Sequence, residues 1–247
     1  SWRTRSLRRY SLRLERTVAE RTADLRQRSE ELAREKDRSE GLLRNILPVS
    51  IAERLKGGER SMADRFDEVS ILFCDLVGFT KLSAELTAED TVSLLNEVFS
   101  GFDALVVRLG LEKIKTIGDA YHVVGGMPDR RPDHPERVAE MALGMLDVIR
   151  RVNADRGTGL QIRIGFHVGP AVAGVIGTLK FTYDLWGEAV NLASRLESHG
   201  APGRIQVSEE VFVRLRAKFS FEPRGEIRLK DIGPVRTWYL TGPPSQS

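Results

Sequence analysis

The sequence predicts an α+β domain behind a long N-terminal helix, and three observations carry that reading. Residues 1–60 are nearly free of strand formers, and of glycine until Gly57-Gly58. From about Arg65 onward, short runs rich in Val and Ile alternate with longer stretches of helical spacing, the pattern of strands and amphipathic helices in one mixed domain. Two of the apolar runs end in an acid close to glycine: Asp75 in Val69-Ser-Ile-Leu-Phe-Cys-Asp75-Leu-Val-Gly-Phe-Thr80, and Asp119 in Glu112-Lys-Ile-Lys-Thr-Ile-Gly-Asp119. Packing gives little reason for a carboxylate at the end of a buried strand. The two acids are therefore read as functional, meeting to hold divalent metal.

In the first 47 residues, Leu14, Val18, Leu25, Leu32, Leu42 and Ile46 alternate by four and three, a heptad seam. Arg21, Arg28, Glu35 and Ser39 fill its other places. So polar a seam makes a marginal coiled coil, which suits a signalling connector and also suits a solvated helix. The opening is basic, with Arg3, Arg5, Arg8, Arg9, Arg13 and Arg16 against Glu15 alone. That cluster fits anionic headgroups just inside a membrane, or a solvated helix end. Leu47-Pro48 breaks the helix, because proline cannot continue the hydrogen-bond ladder. Residues 48–64 read as a short helix, Ile51–Leu55, ended by Gly57-Gly58, and a polar linker that runs on to residue 68.

Within the domain, residues 65–242, Val69–Asp75 is the first strand and Ser83–Leu109 a helix. Leu111–Gly118 and Ala120–Gly125 form a hairpin turning at Gly118-Asp119. A helix over His134–Asn153 and a strand over Gln161–Gly169 follow, with Ala171–Ile176 beyond Gly169-Pro170. The order β-α-β-β-α-β implies a ferredoxin-like antiparallel sheet with both helices on one face. In that topology the first strand runs antiparallel to the third, so its end abuts the hairpin. Asp75 and Asp119 are delivered to one spot by topology alone. The C-terminal additions are a helix over Glu188–Glu197, a strand over Arg204–Val207, a helix capped by Ser208 with Glu209 and Glu210 in its first turn, and strands at Phe219–Glu222, Glu226–Leu229 and Thr237–Leu240. Residues 243–247 read as a disordered tail.

Composition narrows the classes. A net charge of +3 over 247 residues argues against nucleic acid as partner. The single cysteine, Cys74, excludes an internal disulfide framework and reads as a small core residue. No stretch approaches the ~20 apolar residues of a membrane span, and there is no signal-peptide pattern. The chain starts at Ser1 without methionine and is read as a fragment or processed product. His122, His134, His167 and His199 show no metal-ligand spacing.

Four segments in order then carry a resemblance. Phe73-Cys-Asp75-Leu-Val-Gly78-Phe79-Thr80, Lys113-Ile-Lys115-Thr-Ile-Gly118-Asp119, Gly165-Phe-His167-Val-Gly169 through Gly177, and Tyr183-Asp184-Leu-Trp-Gly187-Glu-Ala-Val-Asn191-Leu-Ala-Ser-Arg195-Leu-Glu resemble the class III nucleotidyl cyclases, adenylyl and guanylyl. The resemblance covers roughly residues 65–241, and residues 42–60 are similar to the helix that commonly precedes such domains. It implies that Asp75, Leu76 and Asp119 form the metal set for two ions, Mg²⁺ or Mn²⁺, both of which prefer carboxylate oxygen. One ion would lower the pKa of the ribose 3′-hydroxyl; the other would neutralise the triphosphate and the leaving pyrophosphate. The structural alternative is a buried acid paired with a nearby Arg or Lys.

The resemblance makes Lys115 and Asp184 the base-reading pair, lysine donating to adenine N1 and aspartate accepting from the N6 amine, which argues for ATP over GTP. Lys113 falls on the same strand face as Lys115 by alternation, and spacing to Gly118-Asp119 separates them. Asn191 and Arg195, four apart on one helix face, are the implied transition-state pair, Arg offering a planar fork to the transferring phosphoryl group. Gly78, Phe79 and Thr80 stand before a helix, where backbone N–H groups cradle phosphate oxygens. Lys230, in Arg228-Leu-Lys-Asp-Ile-Gly233, resembles the triphosphate-binding lysine.

One chain carrying the complete set implies a homodimer with two shared sites, paired through the cyclase domain and the N-terminal helix. The expected activity is conversion of ATP to 3′,5′-cyclic AMP and pyrophosphate. The helix is expected to couple it to an upstream membrane or sensor domain, placing the protein at the cytoplasmic face of the cell membrane. A guanylate cyclase and a nucleotide-binding regulatory domain without turnover are the alternatives. The Gly-Gly-Asp/Glu-Glu-Phe signature of diguanylate cyclases is absent from the hairpin.

Overall fold

The computed structural model of the protein describes residues 2–44, 46–59, 62–177 and 179–243. Residues 244–247 of the expected tail, and the side chains of the basic opening up to Arg13 together with Glu15, lie outside the described residues. The chain divides into two compact units, Ser1–Gly58 and Glu59–Ser247.

In the first unit, α1 is one helix of 43 residues, Trp2–Arg44. Its seam residues Leu14, Val18, Leu25, Leu32 and Leu42 are all exposed. Exposed i,i+4 pairs line its flanks, Arg16–Glu20, Arg28–Asp24 and Arg34–Glu30, each contributing a few tenths of a kcal/mol. Pro48 stands where the helix breaks and becomes the N-cap of α2, Val49–Lys56. Lys56 Nζ reaches back 3.0 Å to Glu40 of α1.

The second unit is built of β1 (Ala63–Leu76), α3 (Phe79–Glu85), α4 (Ala88–Leu109), β2 (Glu112–Ile117), β3 (Ala120–Gly125), α5 (His134–Arg156), β4 (Ile162–Ile176), β5 (Thr182–Trp186), α6 (Glu188–Ser198), β6 (Ile205–Ser208), α7 (Glu209–Leu215), β7 (Ser220–Leu229) and β8 (Gly233–Gly242). One sheet of eight strands runs β2-β3-β1-β4-β6-β8-β7, with β5 paired to β4 off that path. The first four strands have the ferredoxin-like order, and β1 is antiparallel to both β3 and β4.

Strand alternation sorts the two faces. Leu72, Cys74, Leu76, Tyr121, Val123, Ile162, Ile164 and Phe166 turn to one side and join Val98 and Phe102 of α4, Met141 and Met145 of α5, and Val211 and Leu215 of α7 in one apolar cluster. The other side receives Phe73, Asp75, His122, Arg163 and Gly165, and there α6 lies directly on the sheet. A Cβ on Gly165 would fall 2.1 Å from Glu197 N and 2.4 Å from Ala193 O. Glycine at 165 is what lets α6 approach so closely.

Five elements differ from the sequence expectation, one of them β5, which that reading did not contain at all. The helix expected over Ser83–Leu109 is two: α3 ends at Glu85, and Thr87 begins α4, its side chain accepting from Asp90 N. β1 starts at Ala63, inside the expected polar linker, because residues 63–66 pair with 171–174 of β4. β4 is one strand through Gly169-Pro170. The register of β1 and β4 shifts between Phe66 and Val69, so Pro170 has no ladder partner to disappoint. β7 likewise runs unbroken through Pro223, on the sheet edge.

Candidate active site

The two acids do meet at one corner of the sheet. Asp75 ends β1 opposite Ala120, the first residue of β3, and Asp119 directly precedes it. The hairpin turn has two residues, and Gly118 takes φ +62° at its first position, as a primed turn requires. A third carboxylate and an arginine share this corner. Arg163, across the ladder from Asp75 on β4, donates from Nη2 to Asp75 Oδ2 at 2.8 Å, and its Nε lies 3.3 Å from Glu197 Oε1 on α6.

Burial, and then neighbouring charge, lifts two of these carboxyls. Burial lifts the Asp75 carboxyl above its ordinary range; the Arg163 hydrogen bond opposes this and the charge of Asp119 adds to it. Glu197 is pushed up to about 7 by burial, then by Asp75, with Arg163 opposing and Asp119 adding. Among the described residues no three or more acids, His or Cys are assembled as a metal cage. What the corner offers a divalent cation is two carboxylates, hard oxygen donors suited to Mg²⁺ or Mn²⁺. Leu76 has its side chain buried in the apolar cluster, which leaves only its main chain for a part in that chemistry. The sequence reading missed Arg163 and Glu197. The available signal was an arginine at a polar place in an otherwise apolar strand, and a glutamate two residues after Arg195.

Lys115 and Asp184 are in direct contact, Lys115 Nζ donating to Asp184 Oδ2 from β2 to β5. Asp184 Oδ1 also accepts from Leu185 N at 2.9 Å. The expectation that Lys113 shares their face is overturned. The β2–β3 register slips between Lys113, opposite Val123, and Lys115, opposite His122. One extra residue at Ile114 reverses the alternation. Lys113 therefore turns to the helix side, bonding Asp103 Oδ1 at 2.7 Å and lying 5.0 Å over the Tyr121 ring. Lys115 stays on the side of Asp75 and His122.

Gly187 starts α6, accepting from Val190 N and Asn191 N. Asn191 and Arg195 project from one face of this helix and line a cavity of about 810 Å³ with His167, Ser194, Lys230 and Asp231. Arg195 lies 3.7 Å from Asp231, which takes φ +68° in the turn between β7 and β8. His167 is fixed by a 2.8 Å hydrogen bond to Ser208 Oγ, a local structural role. Neither acid of the β1 corner lines this cavity, nor does Lys115 or Asp184. At the β1 end, Gly78 (φ +73°) opens α3 with no side-chain cap on its first turn; Phe79 is buried and Thr80 exposed.

Comparison with known proteins recovers the family and the α+β fold of this domain. Residues 61–242 match the family described as the adenylate and guanylate cyclase catalytic domain, and the chain belongs to that family, the class III nucleotidyl cyclases. An adenylate cyclase of Mycobacterium tuberculosis is 50% identical over 209 residues, 84% of this chain and 47% of that protein. The chain thus spans about half the length of that relative. The guanylate cyclase domain of RhGC from Catenaria anguillulae, solved in complex with GTP, superposes with a TM-score of 0.71 at 34% identity, over 73% of this chain and 100% of that one. The adenylyl cyclase CyaB from P. aeruginosa gives a TM-score of 0.71 at 26% identity, over 75% and 99%. Residues 5–55 match a second family, described as haem NO binding associated. No described helix is long and apolar enough to cross a membrane.

Proposed function

We propose that this domain is an adenylyl cyclase, converting ATP to 3′,5′-cyclic AMP and pyrophosphate. The observation that carries the nucleotide choice is the Lys115–Asp184 contact: one cationic donor and one anionic acceptor, held side by side. Adenine presents the matching edge, an acceptor at N1 beside a donor at N6, whereas guanine presents the reverse. The mycobacterial adenylate cyclase at 50% identity supports the same choice.

Each set of side chains then has work to do. Asn191 orients the ribose, and Arg195 gives its planar fork to the charge that grows on the α-phosphoryl group. Lys230 and the main-chain N–H groups at Gly78, Phe79 and Thr80 take the remaining phosphate oxygens. Asp75 and Asp119, with the main chain at Leu76, would hold two divalent ions, whose chemistry would be to make the 3′-hydroxyl more acidic and to offset the triphosphate charge. The 3′-oxygen attacks the α-phosphorus in line, the bond to the β-phosphate oxygen breaks, and pyrophosphate leaves. Arg163, which donates to Asp75 Oδ2, would compete with a cation for that oxygen.

The acids and the Asn191/Arg195 face belong to separate places on one chain, which supports a two-fold dimer that pairs one copy's acids with the other's helix. The N-terminal helix then serves as the connector to an upstream membrane or sensor domain. Purified protein with Mn²⁺ is expected to make cyclic AMP from ATP in preference to cyclic GMP from GTP, and a chelator to stop it. Asp75→Ala and Arg195→Ala are each expected to be inactive alone and to recover activity when mixed, because one site of the heterodimer keeps every residue. Preference for GTP sinks the adenine reading; no recovery on mixing sinks the shared site. Repeating the mixture without residues 1–40 tests the connector, which is refuted if activity and dimerisation are both unchanged.

A further inference from the structure

His122 is buried at 2% exposure on the same sheet face as Asp75, and neither ring nitrogen has a hydrogen-bond partner among the described residues. That is unusual. A buried imidazole normally satisfies at least one nitrogen, and leaving a polar group unpaired costs on the order of 1–3 kcal/mol. Packing explains the ring but not the nitrogens. The ring stacks on Phe73 at 4.0 Å and 14°, a contact that a phenyl or thioether side chain makes as well. The ladder places His122 directly opposite Lys115, and the charged groups that act on it are Asp184 and Lys115. The orphaned nitrogens therefore lie beneath the base-reading pair.

We propose that His122 is a positioning residue for base recognition: when a purine takes Asp184, a neutral His122 nitrogen accepts a hydrogen bond from the Lys115 ammonium and holds it toward the purine N1. With Asp184 engaged by the N6 amine, Lys115 loses the partner it has in the free protein, and N1 satisfies one of its three N–H donors. A neutral imidazole accepts at one nitrogen; a protonated one accepts at none and repels the ammonium. Burial pushes His122 down to about 3, with Asp184 opposing and Lys115 adding, so the ring stays neutral at working pH. The energetic cost of the unpaired nitrogens in the free protein is relieved only with nucleotide bound, which favours the base that parts the pair.

This inference rests on the reading of ATP as substrate, and the experiment separates the two. KM and kcat are measured for ATP and GTP with Mn²⁺ in the wild type, His122→Phe, Lys115→Ala and the double variant, with thermal melts alongside. His122→Phe keeps a ring against Phe73 and loses the acceptor. The expected result is an ATP KM raised about tenfold, the scale of one hydrogen bond to a charged group, a matching fall in ATP-over-GTP preference, and kcat within about twofold. In the Lys115→Ala background the same change is expected to add nothing. Should His122→Phe not fold, His122→Met carries the same expectations. His122→Gln or His122→Asn, which keep an acceptor, should restore most of the preference. A His122→Phe enzyme as selective as the wild type overturns the proposal, as does an equal loss on ATP and GTP or a full further loss in the Lys115→Ala background. A wild type that does not favour ATP overturns instead the substrate reading.

Discussion

The closest approach in the fold gives its sharpest prediction. Gly165→Ala places a methyl carbon 2.1 Å from Glu197 N, 2.4 Å from Ala193 O and 2.7 Å from Glu197 Cα. Ordinary contact begins near 3.4 Å, and all three obstacles are backbone, so no side chain can rotate away. Helix α6 must lift from the sheet by more than 1 Å, or β4 must bend. Overpacking of this kind costs roughly 3 kcal/mol, a fall in Tm of roughly 6–12 °C for a chain of this size. The same helix carries Asn191 and Arg195, the proposed transition-state pair, on its other face; if they act as proposed, a displacement of about 1 Å costs on the order of 100-fold in rate. Thermal melts and cyclic AMP formation at saturating ATP read the two effects separately. Gly159→Ala is the control, with nothing within 4 Å of the added carbon. A Gly165→Ala protein that melts and turns over like the wild type would refute the claim that α6 is seated by backbone contact at this glycine.

Two further outcomes follow from charges away from that contact. Burial, with Asp129 adding, pushes Glu112 up to about 7 from an ordinary 4.5. The neutral carboxyl is the form the fold prefers, so its contribution to stability is complete below about pH 4.5 and is lost as pH rises through about 7. Glu112→Gln is therefore expected to gain on the wild type steadily between those values in thermal melts, and a constant difference across the range would contradict the assignment. Lys113→Ala breaks a half-exposed pair with Asp103; it should cost about 1 kcal/mol or less and leave ATP-over-GTP preference untouched. A shift in preference like that of Lys115→Ala would show that the bulge does not separate the two lysines.

The corner that gathers Asp75 and Asp119 was legible because it follows from connectivity. Once the strands and the hairpin are recognised, antiparallel pairing of the first and third strands leaves one place for both acids. Breaks in a pattern were harder to read. Pro170 looks like a strand end until the register slip of β1 removes its need for an N–H, and Thr87 begins a helix by capping Asp90 N within a stretch that reads as continuously helical. β5 is short and carries an acid, so its place comes from pairing with β4 and not from its own composition. Arg163 and Glu197 escaped notice, and so did the place of His122 opposite Lys115, for a related reason. Each matters through what it faces across the sheet, and facing is a property of register, which period-two counting assumes and cannot test.

The slip at Ile114 divides labour between neighbours. Two lysines separated by a single residue face opposite sides of the sheet, Lys113 toward Asp103 and the Tyr121 ring and Lys115 toward Asp184. Removing Ile114 would straighten the strand and leave Lys113 opposite Val123 and Lys115 opposite His122 as now, whereas a second slip on the hairpin side of Lys115 would turn both lysines over at once.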